Sequence, residues 1–353
     1  MRAPSPDAEA LIERHGRAGV IVLNRPKALN ALTLTMVRLI AAALDEWESD
    51  AAVDRIVLLG AGERAFCAGG DIRRLYELGR AGDHDAQLTF WREEYQLDRR
   101  IKTYPKPIVA LVDGIVMGGG VGLAMHASHT VASERFVFAM PEVGIGFFPD
   151  VGAAWILPRV PFRAGVYFAL TGLRADAGDA LALGLAKTFV PSAAFPMLAQ
   201  ALESEEPVKT VLARFAGPPP RSALTGEAEA MEACFSGLDR TAILEALRQA
   251  ETQDRAFAAP ARAAMLEKSP TSQAIALKQM ALGARNDFGE ALRMDYRIVS
   301  RICRGHDFYE GVRAVIVDKD NRPRWAPPPS HAEVDAYFAS LGESELKFPG
   351  RDA

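Results

Sequence analysis

A chain of 353 residues, 49% apolar and 24% charged, has material for one large or two medium domains with a substantial core. Its formal charge of −4 supplies no field to draw it onto nucleic acid or an anionic membrane, so an anionic ligand must be met by a few placed Lys and Arg side chains. Three widely spaced cysteines (Cys67, Cys234, Cys303), with no CxxC pair or Cys/His cluster, argue against a disulfide framework or a bound metal and fit a reducing cytoplasm.

The opening MRAPSPDAEALIERHGR has no apolar segment of the secretory type, and its early acids disfavour a transit peptide. Residues 19–24 (GVIVLN) form a β-branched run ended by Arg25-Pro26 and predict a strand. Residues 34–48 then place Leu34, Val37, Leu39, Ile40, Ala43, Leu44 and Trp47 at helical spacing. Buried strands are predicted at 55–60 (RIVLLG), 107–114 (PIVALVDG) and 136–140 (FVFAM). Continuous apolar strands alternating with helices indicate an α/β fold with a mostly parallel sheet covered on both faces. Residues 108–127 are about long enough to cross a bilayer. Asp113, five glycines and a β-branched first half make them instead a strand, a glycine turn and a buried helix.

From about residue 163 alanine- and leucine-rich helical patterns take over. Gly217-Pro218-Pro219-Pro220 marks a loop, because three prolines can continue neither regular element. Helices are predicted at 227–235, 240–250, 258–267, 271–283, 287–304 and 331–341. The division expected is a core domain over 1–215 and a helical region over 216–353.

No G-x-S-x-G elbow, Walker A or HExxH motif is present, and the glycine clusters miss the G-x-G-x-x-G register. What remains is two glycine turns and a pair of acids. The first turn, FCAGGDI (66–72), opens a helix for which Asp71 is a natural N-cap. The second, GIVMGGGVGLAM (114–125), presents backbone N–H donors at a helix start, suited to developing negative charge. Glu142 and Asp150 then flank an apolar loop of Val143, Ile145, Phe147 and Phe148. Partial desolvation there would raise their pKa values towards neutrality, unless both are surface helix caps.

LNRPKALNAL (23–32), AFCAGGDI (65–72), PIVALVDGIVMGGGVGLAM (107–125) and MPEVGIGFFPDVG (140–152) together resemble the enoyl-CoA hydratase/isomerase, or crotonase, superfamily. The resemblance implies a crotonase-type ββα spiral core with a helical C-terminal region covering the site. It also implies an oxyanion hole from two backbone N–H groups, at Ala68 (or its immediate neighbour) and Gly119, with Gly70 and Asp71 lining the substrate.

The departures point to a subfamily. Hydratases carry a glutamate two residues after the glycine triplet, where this sequence has Gly122, and they usually have glycine where it has Asp150. Glycine at 122 with acids at 142 and 150 resembles the 3-hydroxyisobutyryl-CoA hydrolases. The likeness extends to WREEYQLD (91–98), KSPTS (268–272), the segment 294–320 and FASLGESELKF (338–348). It implies Glu94 at the substrate, Glu142 as nucleophile or general base, and Asp150 on the substrate hydroxyl or water. Lys27 and Lys319 are candidates for the CoA phosphates, and Arg304, His306 and Asp307 for a structural cluster. Neither metal nor redox cofactor is expected, CoA being part of the substrate, and a homo-oligomer is compatible with the family. The rivals are hydration or isomerisation on the same fold, and a non-catalytic acyl-CoA- or RNA-binding homologue.

Overall fold

The computed structural model describes residues 8–237 and 239–348. The first seven residues, on which part of the leader reading rests, lie outside them. The chain forms two compact units. The first gathers residues 1–70, 97–138 and 175–223, and the second gathers 71–96, 139–174 and 224–353. This differs from a single cut at residue 215, since two segments of the N-terminal half cluster with the C-terminal helices.

The strands, in chain order, are β1 (Ala10–His15), β2 (Ala18–Leu23), β3 (Arg55–Gly60), β4 (Ala65–Cys67) and β5 (Ile108–Val112). They continue with β6 (Ile115–Met117), β7 (His129–Ala132), β8 (Val137–Ala139), β9 (Ala175–Asp176) and β10 (Thr188–Phe189). One sheet has the order β1-β2-β3-β5-β7-β10 and the other β4-β6-β8-β9. The larger is parallel except for the β1–β2 hairpin, as continuous apolar strands require. FVFAM thus supplies a strand of the second sheet, and from β3 to β8 the chain alternates between the two sheets.

In the first unit Val57, Val109, Leu111 and Val131 meet Phe195, Leu198, Val211 and Leu212 in one core cluster. The helix Leu34–Ser49 is capped by Thr33, whose hydroxyl accepts from the Met36 N–H, and it buries Val37, Ile40, Leu44 and Trp47 at the predicted spacing. The stretch 108–127 contains two strands and a short helix, and among the described residues no helix is long and apolar enough to cross a membrane.

The second unit is helical. Gln273 is buried in the helix Pro270–Gly283, and its amide donates to the carbonyls of Leu170 (2.9 Å) and Met265 (3.0 Å) while accepting from Arg240 (2.6 Å). Three segments are thereby tied together through one satisfied buried side chain. The helix Phe288–Ile302 starts at Asp287, which accepts from the Glu290 N–H, and buries Leu292, Ile298 and Val299. Its buried stripe also contains an acid, Asp295.

Candidate active-site residues

In the second unit the acids gather. The helix His84–Thr103 buries Phe90, Trp91, Glu94 and Tyr95, a stripe at three- and four-residue spacing that excludes Arg92 and Glu93. Glu94 is therefore a core residue, only 2% exposed. Glu142 begins a 3₁₀ turn (Glu142–Ile145) after β8, and Asp150 precedes the short helix Ala153–Ile156. With 6% and 5% exposure, neither is a surface cap.

Aromatic rings of the same unit pack on one another. Trp91 stacks on Phe147 with centroids 5.4 Å apart, Phe147 meets Phe148 at 4.7 Å, and Phe308 closes on both Trp91 and Phe147. Desolvation by burial is the first cause that raises Glu94, Glu142, Asp150 and Asp295. Glu142 is pushed well above the usual range by desolvation and by the nearby Asp150 charge. Glu94 rises for the same two reasons. Desolvation lifts Asp150 to about 7, against the opposing hydrogen bond from Tyr95, whose hydroxyl donates to Oδ2 at 2.8 Å. Among the described residues, Glu94 Oε1 and Glu142 Oε2 are buried without a hydrogen-bond partner. An uncompensated buried acceptor is costly, so both atoms are suited to a donor brought in by a ligand or water.

Packing fixes the turn that carries Glu142. Gly146 has φ +69°, and a Cβ there would lie 1.9 Å from the Asp307 carbonyl oxygen. On the facing helix His306–Val312, a Cβ on Gly311 would meet the Ile145 backbone at 2.3 Å. Two glycines thus allow helix and turn to touch backbone to backbone. Asp307 itself accepts from Ser269 (2.5 Å) and the Ala326 N–H (2.8 Å), and His306 contacts the Arg324 carbonyl (2.9 Å). The RGHDF segment thus makes structural ties, as expected for a cluster joining helices.

The first unit contains both glycine turns. The Ala68 N–H donates to the Leu29 carbonyl at 3.0 Å, so Ala68 itself has no N–H to offer. Gly69 turns the chain at φ +116°, its carbonyl accepts from Leu32 (2.8 Å), and Gly70 bridges to Leu32 in parallel register. Among the described residues the Gly70 N–H has no backbone acceptor, which moves the expected donor from Ala68 to its neighbour two residues on. Gly119 opens the helix Gly119–Met125, where its N–H has no intrahelical acceptor. Three residues on, a Cβ at Gly122 would lie 2.4 Å from Oδ1 of the buried Asp98. The glycine that distinguishes this chain from hydratases therefore sits against the Asp98 carboxylate, which a methyl group there would have to displace.

Asp71 caps the helix Ile72–Arg80, its Oδ1 accepting from the Arg74 N–H at 3.3 Å. Lys27 is exposed on the 3₁₀ turn Pro26–Ala28, just before the Leu29 that binds Ala68. Lys319 is exposed in the second unit beside Asp318 and Asp320, both of which pair with Arg313. Three residues of the acid cluster were not singled out from sequence: Tyr95, Gln279 and Asp295. The available signal was an acid on an apolar helical stripe, in line with Leu292, Ile298 and Val299.

The sequence model of the family described as enoyl-CoA hydratase/isomerase matches residues 18–340. The chain is 43% identical to the mitochondrial 3-hydroxyisobutyryl-CoA hydrolase of Danio rerio, over 98% of this chain and 94% of that one. It is 42% identical to the Homo sapiens protein of the same name, over 96% and 91%. Among solved structures, a carnitinyl-CoA dehydratase from Mycobacterium thermoresistibile matches with TM-score 0.92 and 37% identity, covering 98% of this chain and all of that one (100%). An enoyl-CoA hydratase from Rhodobacter sphaeroides 2.4.1 matches with TM-score 0.90 and 42% identity, covering 97% and 100%.

Proposed function

Because the chain belongs to the enoyl-CoA hydratase/isomerase family, we propose that it is a thioester hydrolase acting on 3-hydroxyisobutyryl-CoA, a step of valine breakdown. The observation that carries this reading is the buried pair Glu142 and Asp150, together with a residue 122 that has no side chain. A hydration site of the two-glutamate kind lacks one of its carboxylates here. A hydrolase needs one desolvated carboxylate to attack or to activate water and a second group to move a proton.

In this reading the Gly70 and Gly119 N–H groups take the thioester oxygen as it gains charge, a contribution of several kcal/mol. Glu142 attacks the carbonyl carbon, the C–S bond breaks, and the CoA thiolate leaves with a proton from Asp150. Asp150, now ionised, deprotonates a water that opens the mixed anhydride, releasing the hydroxy acid and restoring Glu142. A titration near neutrality suits Asp150 to both proton transfers. Glu94, whose buried Oε1 has no partner among the described residues, accepts from the substrate hydroxyl. The reading calls for no metal or redox cofactor, and CoA enters as part of the substrate. No nucleic-acid or membrane partner is proposed, and an oligomer is compatible with it. The three buried free cysteines agree with a reducing cytoplasm, although the relatives' names place those proteins in mitochondria.

The names of the two solved structures favour a second reading, hydration of an enoyl-CoA. One panel separates them. Purified protein should release free thiol from 3-hydroxyisobutyryl-CoA much faster than it hydrates crotonyl-CoA. Equal or faster hydration would overturn the hydrolase assignment, and neither activity, with RNA or acyl-CoA binding alone, would indicate a non-catalytic homologue.

A further inference from the structure

Asp150 lies on a loop with an unusual support. Its neighbour Val151 has φ +52°, a left-handed conformation that a β-branched residue avoids unless something holds it. Two side chains from other helices grip the backbone on either side of it. The Gln279 amide nitrogen donates to the Pro149 carbonyl at 2.7 Å and to Asp295 Oδ1 at 2.7 Å. The other oxygen of Asp295, Oδ2, accepts from the Gly152 N–H at 2.9 Å. Gln279 and Asp295 are both fully buried, and neither hydrogen-bonds the Asp150 side chain.

The chemistry of this clamp is directional. The Gln279 nitrogen faces two acceptors, so a flipped amide would set oxygen against both. Asp295 uses both oxygens as acceptors, which is what an ionised carboxylate offers and an amide cannot. Burial disfavours its charge and so does Asp150, the Gly152 N–H and Gln279 oppose them, and on balance the carboxyl is raised well above the usual range. Such an arrangement gains little stability for its cost. Its return is a loop held in one strained conformation, with the Asp150 carboxyl fixed beside Tyr95.

We propose that Asp295 and Gln279 form a positioning clamp that sets the orientation and proton affinity of Asp150 through the 149–152 backbone. This rests on the role given to Asp150 above. The titratable groups facing Asp150 are Glu94 and Tyr95 on one helix, Glu142 on its turn, and Asp295. Asp295→Asn keeps the shape but leaves one acceptor where two are needed, so either Gly152 or Gln279 loses its partner. The loop then relaxes, and the Asp150 carboxyl loses its fixed place against the Tyr95 hydroxyl, whose hydrogen bond opposes the rise to about 7.

The test uses the full chain and two readouts. The first is the titration of the Asp150 carboxyl by ¹³C NMR without substrate, assigned by its loss in Asp150→Asn. The second is kcat and KM for thioester hydrolysis. Asp295→Asn should raise the Asp150 midpoint by about one pH unit or more, a shift of the size that a lost hydrogen bond to the charged form produces. It should also lower kcat by roughly tenfold or more with KM within twofold, as expected when a reacting group is misplaced. Gln279→Met, which removes the donor to Pro149, should act in the same direction and replaces Asp295→Asn should that variant not fold. Asp287→Ala weakens the cap of the helix that carries Asp295, so it should lower thermal stability and leave the Asp150 midpoint unchanged. An unmoved midpoint in the folded clamp variants, or a kcat loss no larger than the loss of folded protein, would overturn the clamp. Absence of thioesterase activity in the wild type would instead overturn the proposed function, leaving the NMR arm to judge the clamp alone.

Discussion

Glu142, Asp150 and Glu94 differ in what each carboxyl can do because each has different neighbours. Desolvation and the Asp150 charge raise Glu142, so ionising it requires a higher pH than for an exposed glutamate. Activity should therefore be lost as pH falls through the raised Glu142 titration, and lost again as pH rises through about 7, where Asp150 gives up the proton it must deliver; a kcat/KM profile measures both limbs. A limb near pH 4 to 5 would mean that ordinary exposed carboxyls control the rate. Glu94→Ala should cost about 1–3 kcal/mol more on 3-hydroxyisobutyryl-CoA than on isobutyryl-CoA, the scale of an unpaired buried polar group. Equal losses on both substrates would assign Glu94 to folding instead. For Glu142 the sharper measurement is one turnover in heavy-oxygen water with enzyme in excess. With Glu142 as nucleophile and water opening the anhydride at the Glu142 carbonyl, Glu142 takes the label and the first product acid is unlabelled. Label in that acid means that water attacked the acyl carbonyl, directly with Glu142 as general base or on the anhydride.

At the scale of elements, glycines decide which segments can touch. The helix His306–Val312 rests on the turn Glu142–Ile145 because Gly146 and Gly311 have no Cβ. Gly311→Ala should cost about 1–3 kcal/mol by denaturant titration, the scale of overpacking, and should lower hydrolysis because the turn it displaces carries Glu142. No change in either quantity would show that the contact is slack. A second close approach joins Gly122 to Asp98 in the first unit. Gly122→Ala should destabilise by a similar amount, and Gly122→Glu by more, since it adds a like charge beside a buried acid. Combining Gly122→Ala with Asp98→Ala should cost less than the sum of the single changes, because removing the carboxylate makes room for the methyl group. Strict additivity would disprove the steric account.

Across the whole molecule the acid cluster opposes stability. Asp150 is raised in the folded state from 3.8 to about 7, so between those values the folded chain holds a proton that the unfolded chain has released. That contribution is fully present below about pH 4 and is lost as pH rises through about 7, and Glu94 and Glu142 add to it in the same direction. Folding free energy should therefore decline from pH 5 to pH 8, and Asp150→Asn should flatten the decline by about 1–3 kcal/mol. The same variant should be more stable than the wild type at pH 8 while losing hydrolysis, the usual exchange at a catalytic site. An identical pH dependence in both proteins would show that Asp150 is solvated and ionised throughout.

Much of the fold was legible because its signals are local. The runs at 19–24, 55–60 and 108–112 are apolar and β-branched, and each forms a strand of the larger sheet. Thr33, Asp71 and Asp287 cap helices because a short oxygen-bearing side chain ahead of an amphipathic run satisfies an orphan N–H wherever the helix lies. The motifs around Glu94, Glu142 and Asp150, with glycine at 122, identified the family and its acids. β4, β6, β9 and β10 were not legible, since two or three residues carry no periodicity and pair only because distant segments bring partners alongside. The same limit hid the commitment of the Ala68 N–H to Leu29, a bond across 39 positions of chain. It also hid Tyr95, Gln279 and Asp295, whose types are ordinary in helices and whose partners lie 16 to 143 positions away. The sequence determined which side chains the chain owns and the local elements that present them. Tertiary packing alone decided which carboxyls lose their water, because desolvation depends on what surrounds a group in space and not on what adjoins it in the chain.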